Sequence, residues 1–322
     1  TNVPEAHDAY LRGRYFWNQF TPDSFPKAFA EFSRALELDP DYALAHVGIA
    51  DYYTWACIYA LIPPAIGFPR VRESATRALE IDPSLAEGYA ALGLYHSNMQ
   101  EWAPSEASYR KSVELNPNYP LAHEWLSAIL VGTGRFDEGT REIIIAEHLD
   151  PLSLRPKVLS AWTLYQTRNY PLALEKAREL EHLSPEFMQT HLQTANILLE
   201  TGDFENALFY ARKAVELERE SPVPVYILCF ALVRAGLRAE AEDLEAKWIE
   251  ASKHGYVAPY FLALCSVALG NKDQAIDYLE LACRERSAWI LWLATEPKLD
   301  SLRDFPPFIE LLTKTGLPPS LP

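Results

Sequence analysis

The sequence predicts an all-α chain: a right-handed superhelical α-solenoid of about eight helix-turn-helix repeats, closed by a C-terminal helical cap. Three observations carry this. Similar segments end at Pro40, Pro83, Pro117, Pro151 and Pro185, spaced by 43, 34, 34 and 34 residues. A second marker keeps the same period: Gly134, Gly202, Gly236 and Gly270 lie 68, 34 and 34 residues apart, with Arg168-Asn169 in the missing slot. Between the markers run two amphipathic stretches with apolar residues at three- and four-residue steps. A fixed period of this length marks two-helix units that bury a continuous core only by stacking on one another.

The units can be followed in order. The first, from about residue 4, is irregular because its inter-helix loop, "NQFTPDS", is long. The second contains the uncharged run "YYTWACIYALIPPAIGFP", Tyr52 to Pro69. Its length approaches that of a membrane span. Pro63, Pro64 and Pro69 argue against one, since prolines remove backbone donors and a spanning segment must satisfy every backbone group internally. The nine residues in excess of the 34-residue period fall here. The run therefore reads as an enlarged inter-helix connection near 57–69, with Pro64 near the start of a lengthened second helix. Its apolar side chains are expected to fold over the first repeats as a satellite cluster, a ligand or partner contact being the alternative.

Units three, four and six are regular. In the sixth, Leu192, Ala195, Leu198 and Leu199 line one helix, Gly202 ends it in a left-handed turn, and Asp203 caps the next, which carries Ala207, Ala211, Ala214 and Leu217. Units five and seven are weaker, with Lys157 and Val225 in a slot that elsewhere holds a bulky residue. One position per unit is small (Ala50, Gly93, Ser127, Ala161, Ala195, Cys229) because helices approach within about 8–10 Å only where side chains allow it. The repeats occupy 1–285. Residues 286–322 form the cap and tail, in which Trp289, Leu293, Phe305, Phe308 and Leu312 are expected to cover the last repeat.

These positions resemble the tetratricopeptide repeat. The third unit supplies Tyr89, Leu92, Gly93, His96, Ser105, Tyr109, Ser112 and Pro117 in its signature, and the fourth His123, Leu126, Ser127, Leu130, Gly139, Ile143, Ala146 and Pro151. The opening "EAHDAYLRGRYFWNQF" and the closing "ERSAWILWLATEPKLDSLRDFPPFIELL" are similar to the ends of repeat regions found C-terminally in bacterial signalling proteins. There they follow a winged helix, a kinase or a nucleotide cyclase. The resemblance implies a sensory or scaffolding role for a piece of a longer protein, cytoplasmic, or periplasmic where a membrane helix precedes the repeats.

Composition narrows the partners. The formal charge of −15 disfavours phosphate backbones and anionic lipid surfaces, so neither nucleic acid nor membrane insertion is expected of this chain. Cys57, Cys229, Cys265 and Cys283 show no metal or disulfide spacing. His46, His123 and His191 recur in the bulky first-helix slot, and His148 and His182 lie 34 apart, which spreads them along the repeats instead of gathering them on an ion. The carboxylates at second-helix ends (Glu37, Asp39, Glu80, Asp82, Glu114) read as solvated surface. No nucleophile elbow, phosphate loop or metalloprotease helix occurs. The chain reads as not an enzyme, with no cofactor and no metal.

What remains is the face lined by the first helices. Projecting the repeat inward selects Asp51, Trp55, Asn98, Trp125, Trp162, Tyr165, Asn196, Tyr226, Phe230 and Tyr260 as partner-binding candidates, with Trp162, Tyr165, Tyr226 and Phe230 as the expected centre. Family members that clamp a C-terminal carboxylate need Lys and Asn at positions held here by Val47/Asp51, Ala90/Leu94 and Glu124/Ala128. Rings with a few amides suit a peptide or protein segment with apolar side chains. The expected function is a non-catalytic interaction or scaffold module. The alternatives are a small-molecule sensor, or the accessory repeat region of a transferase, whose catalytic domain the short tail cannot hold.

Overall fold

The structure is a computed structural model that describes residues 1–19, 21, 23–58, 61–218, 221 and 223–319. Tyr59 and Ala60 of the enlarged connection, Phe20 and Pro22 of the first loop, and Ser320–Pro322 of the tail lie outside the described residues. Eight helix pairs follow one another: α1 (Pro4–Gln19) and α2 (Ser24–Leu38), α3 (Ala43–Ile58) and α4 (Pro64–Ile81), α5 (Ala86–Asn98) and α6 (Trp102–Leu115), α7 (Pro120–Gly132) and α8 (Phe136–Leu149), α9 (Leu154–Gln166) and α10 (Tyr170–Leu183). Then come α11 (Met188–Thr201) and α12 (Phe204–Leu217), α13 (Val225–Arg234) and α14 (Arg238–Ser252), and α15 (Pro259–Ala268) and α16 (Lys272–Arg284). Two 3₁₀ turns, Ala288–Trp292 and Pro297–Leu302, precede α17 (Pro306–Thr315). There is no strand among the described residues. The chain divides into two compact units, Thr1–Trp125 and Leu126–Pro322.

The period has a stereochemical basis at the inter-helix turns of the third to eighth pairs. Gln100, Gly134, Arg168, Gly202, Gly236 and Gly270, one every 34 residues, all have φ between 61° and 86°. The residue after each sends its N–H back to the first helix, as in Glu101 N to His96 O (2.9 Å), Asp203 N to Leu198 O (3.0 Å) and Asn271 N to Ser266 O (2.8 Å). This is the Schellman closure, and it requires the left-handed conformation. Glycine adopts that conformation freely. At Gln100 and Arg168 it costs on the order of 1–2 kcal/mol.

The periodic histidines have an equally local role. Nε2 of His46, His123 and His191 donates to the carbonyl of Pro40 (2.9 Å), Pro117 (2.9 Å) and Pro185 (2.6 Å), six residues back in each case. Each ring thus ties the start of a first helix to the preceding turn. The small slot is filled as the helix crossings demand. Ala50, Ser127, Ala161, Ala195 and Cys229 are fully buried, and a Cβ on Gly93 would lie 2.4 Å from the Tyr109 ring.

In the first unit, the nine extra residues of the second repeat go largely into helix. α3 and α4 have 16 and 18 residues against 13 and 14 in α5 and α6, and Pro64 stands in the first turn of α4. Phe68 and Val71 pack with Cys57, Ala50, Ala75 and Ala91. Gly67 allows α4 close to α3, since a Cβ there would meet Cys57 Sγ at 2.1 Å. The apolar cover is only partial: Leu61 is 58% and Ile66 60% exposed. Because α4 starts at Pro64, Ile66 lies two residues and about 200° round the helix from buried Phe68.

Candidate partner-binding surfaces

Within each unit the first helices pack on one another, α1 on α3 and α3 on α5 in the first, α9 on α11, α11 on α13 and α13 on α15 in the second. Their common face carries the inward residues chosen from the sequence. The two units use that face differently.

In the second unit the face is covered by the chain itself. After α16, with Arg286 at φ 59°, residues 288–302 run back over the first helices. Trp162 meets Trp289 and Trp292 edge-on at 6.2 and 5.7 Å, and Tyr260 stacks on Trp289 at 6.1 Å. Ile290, Leu293, Leu299 and Leu302 are buried. Tyr165 OH donates to Glu296 Oε1 (2.7 Å) and Gln166 Nε2 to Glu296 Oε2 (3.0 Å). Two residues on, Lys298 Nζ donates to Tyr165 OH (3.2 Å), to the Asn196 carbonyl (3.3 Å) and to Glu200. The ammonium also lies 5.2 Å from the Tyr165 ring and 5.7 Å from the Phe230 ring, within cation–π range. Arg168 grips the segment from the side, donating to Thr295 O (2.9 Å) and Asp300 (2.8 Å).

Burial raises Tyr165 well above the ordinary phenol range, and Glu296 and Glu200 push it the same way. It also raises Tyr226 and Tyr260, again with a contribution from Glu296. It lowers Lys298, against the pull of Glu200 and Glu296. Asn196 Nδ2 donates to Tyr226 OH (3.0 Å). Trp162, Tyr165, Asn196, Tyr226 and Tyr260 are therefore buried, and Phe230 half-buried, against their own chain, so the expected aromatic centre is not an open surface in this structure. The physical reason is that this layer of rings is apolar enough to hold the Trp289–Leu302 segment. The cap is accordingly split: α17 packs on α16 with Phe308 and Leu312 buried, while Trp289 and Leu293 belong to the segment on the first-helix face.

In the first unit the described residues on this face are helix side chains, of which Asp51, Trp55 and Asn98 are buried like Trp17, and Trp125 is half-buried. Trp17, Trp55 and Trp125, from α1, α3 and α7, stand in line at 6.4 and 6.0 Å. Arg14, with 32% of its side chain exposed, lies 3.7 Å from Asp51. Burial alone would lower Arg14, but Tyr10, Asp51, Tyr119 and Glu87 together hold it above its ordinary value. Asn98 spends its amide on the Leu94 carbonyl (2.7 Å). The buried Trp125 Nε1 makes no hydrogen bond.

Sequence reasoning missed Gln166, Arg168, Glu200, Glu296 and Lys298. One signal was available. Arg168 stands where the period calls for glycine, and its side chain is what clamps the segment. Among the described residues no His, Cys, Asp or Glu cluster could hold a metal ion, and no helix is long and apolar enough to cross a membrane.

Comparison with known proteins agrees with this architecture. Residues 158–222 and 86–119 match tetratricopeptide-repeat family models. These stretches are tetratricopeptide repeats. Residues 200–282 also match the model of anaphase-promoting complex, cyclosome, subunit 3. Among solved structures, the APC/C hetero-tetramer Cut9-Hcn1 is similar over 90% of this chain at 15% identity and a TM-score of 0.60, the match spanning 52% of that chain. Yeast Tom70 is similar over 98% of this chain and 68% of its own, at 17% identity and a TM-score of 0.55. At such identities the likeness is one of fold. No curated protein matches the chain in sequence. Tetratricopeptide repeats in general serve as scaffolds that bind peptides or proteins, and the fold is typically non-catalytic.

Proposed function

We propose that this chain is a non-catalytic interaction module of a bacterial regulatory protein, and that it takes a protein segment with apolar side chains on the first-helix face of its first unit. One observation carries the reading: among the described residues the first unit has no counterpart of the 288–302 segment, so half-buried Trp125 and Arg14, above buried Trp17 and Trp55, are left to a partner. Arg14, with a third of its side chain exposed, supplies donors to the carbonyls of an extended or helical backbone. Asp51, Trp55 and Asn98 shape the floor beneath them. The likeness of the two chain ends to repeat regions of bacterial signalling proteins supports the regulatory setting.

The test is a photo-crosslinking amino acid placed, one variant at a time, at position 14, 61 or 66, with a control at exposed Phe209, in the source cell. The expected result is a protein adduct from position 14 alone, lost on Trp125→Ala in a variant that keeps its helical spectrum. Adducts arising only from Leu61 or Ile66 would move the site to the second repeat's connection and overturn the assignment.

A further inference from the structure

The segment over the second unit is held by charged and polar contacts as well as by apolar ones. A plug that merely closed an apolar layer would need no charges, and replacing buried ion pairs by apolar side chains is often neutral or stabilising. Here the central Glu296-Pro297-Lys298 is read by the side chains of Tyr165, Gln166 and Glu200 and by the backbone carbonyl of Asn196, from two repeats, and the neighbouring backbone by Arg168 at Thr295. The segment has 3₁₀ geometry and stands outside the 34-residue repeat. Its fit is also incomplete. Gln166 Oε1, Asn196 Oδ1, Tyr260 OH and Thr295 Oγ1 are buried without a hydrogen bond. Unmet groups of this kind are costly, and a better-matched ligand would satisfy them.

We propose that the first-helix face of the second unit is a segment-binding site occupied in cis, with residues 288–302 acting as a tethered, imperfect ligand. The partner it fits is a protein segment with an acid–Pro–base core flanked by aromatic and aliphatic side chains. Such a partner would also offer donors to Gln166 and Asn196 and an acceptor to Tyr260. The tether holds the site closed, because a short linker gives an effective concentration on the order of millimolar.

The experiment uses the full chain with a protease site placed in the 285–287 turn and, as probe, a labelled synthetic peptide of residues 287–315. Uncut protein should take up no micromolar peptide. After cleavage the repeats should stay helical and the labelled peptide should exchange into the site. A peptide with Glu296→Lys and Lys298→Glu should bind at least tenfold more weakly. Collapse of the repeats on cleavage, or a cleaved fragment that never exchanges, would show the segment to be fixed core and overturn the proposal. Equal binding of the charge-swapped peptide would overturn it too, by removing the recognition of Glu296 and Lys298. None of these outcomes depends on the first unit's partner.

Discussion

Replacing Glu296 by Ala should be among the most damaging single changes in the second unit. Its carboxylate is 1% exposed and accepts from Tyr165 OH at 2.7 Å, Gln166 Nε2 at 3.0 Å and Lys298 N at 3.1 Å. Hydrogen bonds to a charged group contribute about 1.5–3 kcal/mol each, and they are not additive. Removing the carboxylate spares its own burial cost but strands three buried donors and leaves the Lys298 ammonium with Glu200 as its nearby carboxylate. Losses on breaking a buried pair run at about 3–5 kcal/mol. With a urea slope near 2 kcal/mol/M, the midpoint should fall by roughly 1.5–2.5 M. Trp162, Trp289 and Trp292 lie together at the segment, so tryptophan fluorescence reports its release while circular dichroism follows the repeats. Glu296→Gln keeps the shape and one acceptor and should lose less than half as much. A double-mutant cycle with Tyr165→Phe should show a coupling of about 0.5–3 kcal/mol. A Glu296→Ala loss below about 1 kcal/mol, or no coupling to Tyr165, would refute the view that these contacts hold the segment down.

Other outcomes follow from particular residues. Gln100→Gly should stabilise by up to about 1 kcal/mol by relieving a left-handed non-glycine, whereas Arg168→Gly, in the same conformation, should lose stability because its guanidinium holds Thr295 O and Asp300; thermal melts of the pair check this. Gly93→Ala should cost about 1–3 kcal/mol by overpacking against Tyr109, whereas Gly255→Ala, with open space around it, should stay within about 0.5 kcal/mol. Burial, with Lys213 nearby, lowers the His191 pKa, although its bond to the Pro185 carbonyl opposes this. The unfolded state then binds the proton first, so stability should fall as pH drops below about 6.5, and His191→Gln should flatten that slope in urea midpoints taken from pH 7.5 to 5.

Much of the fold was legible because its constraints are local and repeated. The glycine and proline periods mark conformations that one residue type adopts cheaply, and the small slot marks a helix crossing that recurs in every unit. Pro64 was legible as a helix start for the same reason. The exposure of Ile66 was not, since it depends on the rotation of α4 about its axis. Projection inward also found Tyr165, Asn196 and Tyr226, which do lie on the first-helix face. It could not show that Glu296 and Lys298 would lie on them, because those contacts join residues 98 to 133 positions apart.

The sequence by itself determined that this protein is a stack of two-helix repeats, since each 34-residue unit encodes its own turns, caps and crossing. Only the tertiary structure decided which stretch of the inward face is filled. In the second unit a tail of ordinary apolar composition returns to the repeats, and one acid and one base buried two residues apart fix its register. Among the described residues of the first unit no such segment lies on that face, where Trp17 and Trp55 are buried among helix side chains and Trp125 is half-buried. Local propensity repeats along the chain and can be read from it. The pairing of Glu296 with Tyr165, or of Lys298 with Glu200, arises only where folding brings distant residues into one low-dielectric place.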